Sequence, residues 1–175
     1  MDIYVTIFEL IDMRSFTSMW FWIVLAVFWS TMSHYVIGVP YDLIQRAARM
    51  GEGALQDVET LARINTHRIL FIGNSAGLIV TGVGAFVLSS LALMGFFYGV
   101  EFCQALFLLG FPFAVVSMIG QRTARIVQTN ALTGNALLAR LRKHRFMTQL
   151  VGIISIFVTA FWGIFQAMST SILGG

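Results

Sequence analysis

Apolar and charged residues follow one another along this chain in long blocks. Four blocks contain no Asp, Glu, Lys or Arg, and they comprise residues 15–41, 69–100, 102–121 and 146–175. The second block is the longest, with 32 residues between Arg68 and Glu101. A helix needs about 20 apolar residues to cross the roughly 30 Å hydrocarbon core of a bilayer. The pattern therefore predicts an all-α, polytopic membrane protein with four transmembrane helices, at about residues 16–40, 69–95, 102–121 and 147–172.

The two long charged segments, 42–68 and 122–145, also carry apolar residues at helical spacing. Each is interrupted by a turn signal, Gly51-Glu52-Gly53 in the first and Thr133-Gly134-Asn135 in the second. We therefore expect two antiparallel helical hairpins that extend beyond the membrane, all within one domain that covers residues 1–175.

Residues 1–14 differ from a signal peptide, because they carry Asp2, Glu9 and Asp12 against a single Arg14 and lack a basic start. Their apolar residues recur at helical spacing. This favours a short amphipathic helix in the membrane interface over a simple extension of the first span.

The composition agrees with a membrane protein. Hydrophobic residues make up 58% of the chain and charged residues 11%, whereas soluble domains have about 25% charged residues. Cys103 is the only cysteine, so the chain alone cannot form a disulfide, a CxxC redox pair or a thiolate metal site.

The basic residues predict the orientation. Segments 42–68 and 122–145 hold four and six of them, which is ten of the eleven Lys and Arg in the chain. Because basic loops are retained in the cytoplasm, we expect these segments to be cytoplasmic. Both termini are then periplasmic if the protein lies in a bacterial inner membrane.

Small residues recur at every fourth position on three of the spans, as expected where membrane helices pack closely. The rows are Gly73, Gly77, Thr81, Ala85 and Ser89 on the second span; Ser155, Thr159, Gly163, Ala167 and Ser171 on the fourth; and Ala26, Ser30, His34 and Gly38 on the first. These rows predict helix packing, either inside one four-helix bundle or between copies or subunits.

Four polar residues are predicted at similar depth near the cytoplasmic ends of the spans: His34, Asn74, Ser117 and Gln149. Polar groups in hydrocarbon are costly unless they are hydrogen-bonded. This layer is therefore either an interhelical hydrogen-bond network or part of an ion or proton path. No Asp or Glu lies in any span, which favours the network. His34 is also a weak candidate for binding a haem or a pigment.

Four basic residues come directly before the last span: Arg140, Arg142, Lys143 and Arg145. Juxtamembrane cations attract anionic lipid headgroups, so this cluster predicts a lipid contact. Two other interpretations remain open, namely that the cluster only sets topology or that it pairs with Glu52, Asp57 and Glu59.

Sequence signatures of enzymes are missing. The chain contains no GxxxxGK[ST], HExxH or GxSxG motif. No catalytic residue, metal site or cofactor is therefore predicted.

Two stretches carry a resemblance to a known family. They are IYVTIFELIDMRSFTSMWFWIVLAVFWSTMSHYVIGVPYDLIQRA at residues 3–47 and FFYGVEFCQALFLLGFP at residues 96–112. The chain resembles a family of small alphaproteobacterial four-span membrane proteins, sometimes labelled as a component of the SufBCD iron–sulfur assembly complex. The resemblance implies a bacterial inner membrane. The single cysteine and the missing nucleotide loop give that label no chemical support.

These observations predict a non-enzymatic structural, assembly or interaction subunit, oligomeric or docked on a larger membrane complex. Its expected partners are membrane lipids and other subunits, and no nucleic acid. The alternatives are a small channel or transporter whose path passes His34 and Asn74, and a haem or pigment subunit that uses His34.

Overall fold

The structure is a computed structural model that describes residues 19–173. The predicted interfacial helix at residues 1–14 lies outside the described part. Five α-helices follow one another: α1 Met19–His34, α2 Tyr41–Met50, α3 Glu52–Ala92, α4 Glu101–Thr129 and α5 Gly134–Leu173. Two short strands, β1 Tyr35–Val36 and β2 Val39–Pro40, separate α1 from α2, and a π-helical turn at Leu93–Phe97 extends α3. The predicted all-α class is confirmed.

Three of the helices are long and apolar enough to cross a membrane: Glu52–Phe97, Glu101–Thr129 and Gly134–Ser169. Each comprises most or all of one of the apolar blocks and part of an adjoining charged segment without a break. The described part of α1 is apolar but has only 16 residues.

The helix predicted over residues 16–40 ends earlier, at His34. Tyr35–Val36 pairs with Val39–Pro40 in a tight antiparallel hairpin. At its turn Ile37 and Gly38 have φ values of 52° and 75°, and two successive positive φ angles are typical of a two-residue hairpin loop. The hairpin buries Val36 and Val39 almost completely. The prediction was wrong here because an apolar run does not distinguish a buried hairpin from one more helical turn.

Two features of the turn require glycine at position 38. A Cβ at this position would lie 2.8 Å from the Asn65 side-chain nitrogen on α3, in addition to the strain of a positive φ. The hairpin therefore rests closely on α3, and it brings the start of α2 beside the same helix.

The main buried cluster lies among the charged segments and not among the apolar blocks. It joins the β-hairpin to α2, α3, α4 and α5, and its most buried members are Val36, Val39, Ile44, Val58, Leu137, Leu138 and Leu141. A smaller cluster in the apolar region contains Leu25, Trp29 and Val116. This division has a physical reason, because the hydrophobic effect drives burial only where water is the alternative. The exposed apolar side chains of α3 and α5 suit contact with lipid.

Candidate functional site

The small-residue row on α3 is largely uncovered by the rest of the described chain. Thr81, Ala85 and Ser89 are exposed, and Gly73 and Gly77 are half-buried. A Cβ on either glycine would have no atom within 4 Å. Both glycines line a cleft of about 400 Å³ that α3 shares with α4 and the β-hairpin. Within residues 19–173, no helix packs closely against this row.

The corresponding row on α5 packs inside the protein. Ser155, Thr159 and Gly163 are buried, and Ala167 is exposed; the side chain of Ser171 lies outside the described part. The Ser155 hydroxyl donates to the Leu108 carbonyl oxygen on α4, at 3.5 Å. Pro112 lacks the N–H that would otherwise bond this carbonyl four residues earlier. A residue of the α5 row thus compensates for the proline in α4.

The row predicted on the first span is exposed. It consists of Ala26, Ser30 and His34 on α1 and Gly38 in the β-hairpin, of which Gly38 lies close to Asn65 of α3. The three rows that look alike in sequence therefore differ, since only the α5 row is mostly buried within the described residues.

The four residues of the predicted polar layer do not come together. His34 lies in an open depression beside Ser33 and Arg145, and its ring contacts Tyr35 edge-on, with 5.1 Å between ring centroids. Ser117 lines the α3–α4 cleft, and Gln149 lines a different one beside α1. Asn74 is exposed. Equal depth does not place residues on facing sides of their helices, so the predicted network does not form among the described residues.

A buried polar cluster that the sequence did not reveal lies at the opposite end of the apolar helices. Gln104 is 3% exposed. Its side-chain nitrogen donates to the Gly95 carbonyl oxygen at 2.8 Å. Its side-chain oxygen accepts from Trp162 Nε1 at 2.8 Å and from Gln166 Nε2 at 2.7 Å. This Gln104 cluster joins the π-helical turn, α4 and α5. The sequence does not reveal this cluster, because Gln104 has mainly apolar neighbours in sequence and its two side-chain partners lie on another helix, α5.

Gly95 is part of the same cluster for a steric reason. A Cβ on Gly95 would lie 2.9 Å from the Gln104 backbone nitrogen, closer than such atoms approach. The π-helical turn and α4 therefore meet backbone to backbone. The π-helical geometry, which sequence does not predict, places the Gly95 carbonyl within reach of Gln104.

The basic cluster before the last apolar block has two different halves. Arg142 and Lys143 are exposed, whereas Arg140 and Arg145 are half-buried. Arg145 Nε donates to the Ser33 carbonyl oxygen at the end of α1, at 3.3 Å, and its guanidinium carbon lies 3.4 Å from the centroid of the Tyr41 ring. Arg145 therefore joins α5 to α1 and α2. A hydrogen bond from Gln45, followed by the effect of Arg145, lowers the pKa of Tyr41.

The proposed pairing of this cluster with acids of the other charged segment is not observed among residues 19–173. Instead, a Glu59 carboxylate oxygen accepts from the Gly134 backbone N–H at 2.6 Å. This bond stabilises the start of α5, where helix N–H groups lack intrahelical partners. The exposed cations Arg142 and Lys143 remain available to an external anion.

His144 is a second buried polar residue, located two residues before the apolar block that begins at Phe146. It is 6% exposed, and its Nδ1 lies 3.2 Å from the Thr123 hydroxyl oxygen on α4. Burial, and secondarily the positive charge of Arg140, lowers the pKa of His144 to about 4. The ring is therefore neutral at physiological pH.

We expect His144 to make the fold sensitive to acid. The imidazole has a pKa of 6.5 as a free group and about 4 in the fold, so protons bind the unfolded chain preferentially between these values. Stability should be constant above pH 6.5 and fall by roughly 3 kcal/mol as the pH decreases to about 4. Thermal unfolding in detergent between pH 7.5 and 4 measures this. The decrease should be smaller in His144→Gln, and an equal decrease in both proteins would contradict the prediction.

The fold and these contacts define a helical protein with three helices able to cross a membrane and a charged layer on one side of them. Within residues 19–173, no three His, Cys, Asp or Glu side chains come together as a possible metal site. Comparison of the chain with family models, curated proteins and solved structures finds no match.

Proposed function

We propose that this chain is a non-enzymatic subunit of a bacterial inner membrane, which associates with further copies of itself or with other membrane subunits through the small-residue row on α3. In this proposal α1 also crosses the membrane, which gives four spans in total, and the charged segments are cytoplasmic. The basic residues before the last span bind anionic lipid headgroups.

One observation carries this proposal. The row from Gly73 to Ser89 has the sequence pattern of a packing surface, but the described chain leaves it largely uncovered, while most of the similar row on α5 is buried. Lipid chains are as apolar as leucine, so a groove of small residues gains little from lipid and more from the close approach of a helix. A second α3 helix, or a helix of another subunit, fits this surface.

The distribution of charge supports the membrane orientation. Ten of the eleven basic residues belong to the segments 42–68 and 122–145, and the exposed Arg142 and Lys143 have no acidic partner among the described residues. Each cation near an anionic membrane surface contributes about 1 kcal/mol to lipid attraction. Such a layer anchors a subunit in a defined orientation, as an assembly role requires.

Gly77→Leu tests the association surface. A Cβ at this position would meet no atom within 4 Å, so the subunit should still fold, but the leucine side chain prevents close approach of a second helix. We expect the wild-type protein to be oligomeric in mild detergent or nanodiscs, and Gly77→Leu to shift it to monomer, with dissociation favoured at least ~10-fold. Native mass spectrometry or mass photometry measures the distribution.

Gly53→Leu is the matched control. It makes the same change at another uncrowded glycine of α3, 24 residues before Gly77 and about 36 Å away along the helix at 1.5 Å per residue. It should leave the oligomer intact. A monomeric wild-type protein with no co-purifying subunit, or equal loss of association in both variants, would show that α3 does not mediate assembly.

A further inference from the structure

A groove of about 460 Å³ lies between the charged part of α3 and the connection from α4 to α5. One wall is formed by successive turns of α3 from Gln56 to His67, and the other by residues between Val127 and Leu137. Its size falls within the range of about 300–1,000 Å³ that is typical of small-molecule sites. The groove is separate from the row on α3 that the proposed function uses.

The α3 wall includes several side chains that can donate hydrogen bonds. Arg63 and His67 are four residues apart, so they lie on one side of the helix, and both are exposed. Neither makes an ion pair or a hydrogen bond with another described residue. Arginine offers a fork of N–H donors that matches the oxygen atoms of phosphate and carboxylate groups.

Thr66 lies between them in sequence and also lines the groove. The residue is 4% exposed, and its hydroxyl makes no hydrogen bond with another residue in the range 19–173. A hydroxyl group that lines a groove without a protein partner can donate a hydrogen bond to a ligand there. Thr60 and Thr133 add two further hydroxyl groups to the lining.

The single carboxylate in the groove is already engaged. Glu59 accepts the Gly134 N–H at the start of α5, which offsets its negative charge with the positive end of the helix. The remaining lining includes several groups that can donate hydrogen bonds. The cation of the α3 wall, Arg63, has no anionic partner among the described residues. An incoming group that offers several acceptor oxygens and negative charge is complementary to this wall.

The floor of the groove is apolar. Ala62, Val127 and Leu137 are all buried beneath it, and these side chains would contact the carbon skeleton of a ligand. Recognition thus needs both an anionic oxygen-rich group and an organic part.

We propose that this groove binds an organic phosphate, with the phosphate on Arg63, His67 and Thr66 and the carbon skeleton on the apolar floor. The His67 end lies two residues before the apolar block at Ile69, and the Gln56 end lies 11 residues further from it, about 16 Å along the helix. The groove therefore opens both at the membrane surface and to the aqueous side. The phosphate can belong to a lipid headgroup or to a soluble phosphomonoester.

Methyl NMR on threonine-labelled protein in nanodiscs tests this proposal with two probes. The first is sn-glycerol 3-phosphate added to phosphatidylcholine nanodiscs, and the second is phosphatidic acid included in the same nanodiscs. Binding should shift the methyl signals of Thr60, Thr66 and Thr133. The signals of Thr148 and Thr159, which lie outside the groove, should stay in place and report that the fold is intact.

Two variants should weaken this binding. Arg63→Gln should raise the dissociation constant about 10-fold, as expected for loss of a charge-assisted hydrogen bond. Thr66→Val, which keeps the shape and removes the hydroxyl, should raise it about 5-fold. Arg49→Gln makes the same change as the first variant at an exposed arginine of α2 outside the groove, and it should change the constant less than about 2-fold.

A response to glycerol 3-phosphate that Arg63→Gln weakens identifies a soluble phosphomonoester as the ligand class. A response to phosphatidic acid alone, weakened by the same variant, identifies a lipid headgroup. The proposal is overturned if neither probe shifts the groove threonines, or if Arg49→Gln weakens binding as much as Arg63→Gln. Because Gly77→Leu lies outside the groove, failure of the assembly proposal leaves this result unaffected.

Discussion

Replacing Gln104 by leucine should destabilise the protein by roughly 2–4 kcal/mol, since it removes three hydrogen bonds that contribute about 0.5–1.5 kcal/mol each. The substitution removes the donor to the Gly95 carbonyl and the acceptor that Trp162 and Gln166 share. Leucine has a similar volume, so the loss is one of hydrogen bonding rather than packing. The midpoint of thermal unfolding in detergent, followed by circular dichroism, measures the effect.

Gln149→Leu is the control for this change. Gln149 is half-buried on α5 and makes no hydrogen bond with another described residue, so its replacement should be neutral within about 0.5 kcal/mol. Trp162→Phe, which removes one of the three bonds of the Gln104 cluster, should fall between the two. If Gln104→Leu and Gln149→Leu behave alike, the cluster contributes nothing to stability.

Gly152→Ala should have the second largest effect. A Cβ at Gly152 would lie 2.8 Å from Cε3 and 3.2 Å from Cδ2 of the Trp29 ring. Trp29 is 4% exposed, and its ring lies directly against Gly152, so a methyl group at this position requires the ring or α1 to shift. We therefore expect α1 to be displaced from α5 at a cost of about 1–3 kcal/mol, measured as a lower unfolding midpoint.

A second substitution distinguishes crowding from other causes. Trp29→Phe removes the part of the ring that meets the new methyl group, so the double variant should recover stability relative to Gly152→Ala. Gly120→Ala provides a matched control on α4, because its Cβ would meet only His144 Cε1 at an ordinary 3.9 Å. That variant should be neutral or stabilised by up to about 1 kcal/mol. Equal destabilisation by both alanines would contradict the steric account.

The helical class and the positions of the long helices could be predicted from the sequence because they depend on runs of one kind of residue. The block from Ile69 to Val100 fixes a helix whatever its neighbours are, and α3 with its π-helical turn indeed runs to Phe97. The break between α2 and α3 falls at Gly51, whose φ of 87° favours glycine. Such features are local in the chain, so local chemistry is sufficient to find them.

The contacts between helices could not be predicted in the same way. His34, Asn74, Ser117 and Gln149 share a depth, but which side of each helix faces a neighbour depends on rotation about the helix axis, and that is decided by packing. The Gln104 cluster is the opposite case, in which residues that are far apart in sequence are in contact. Its partners are 58 and 62 residues away in sequence, and the π-helical turn that supplies a third partner has no sequence signature.

The groove beside α3 was also beyond the reach of sequence analysis. Arg63 and His67 belong to a charged segment that is typical of any solvated helix face. Their significance depends on the groove that they line with Thr66 and on the hydrogen bond that Gly134 donates to Glu59. That bond joins residues 75 positions apart in sequence.

The contacts of α5 have a consequence for biosynthesis. Ser33 bonds to Arg145 across 112 residues, and Trp29 packs on Gly152, so the last helix supplies partners to the first. At about 5–20 residues per second, the first helix waits roughly 6–20 seconds in the membrane before those partners are made. During that time its exposed surface is open to chaperones, insertases and quality-control proteases, and the packing of α5 against α1 ends this exposure.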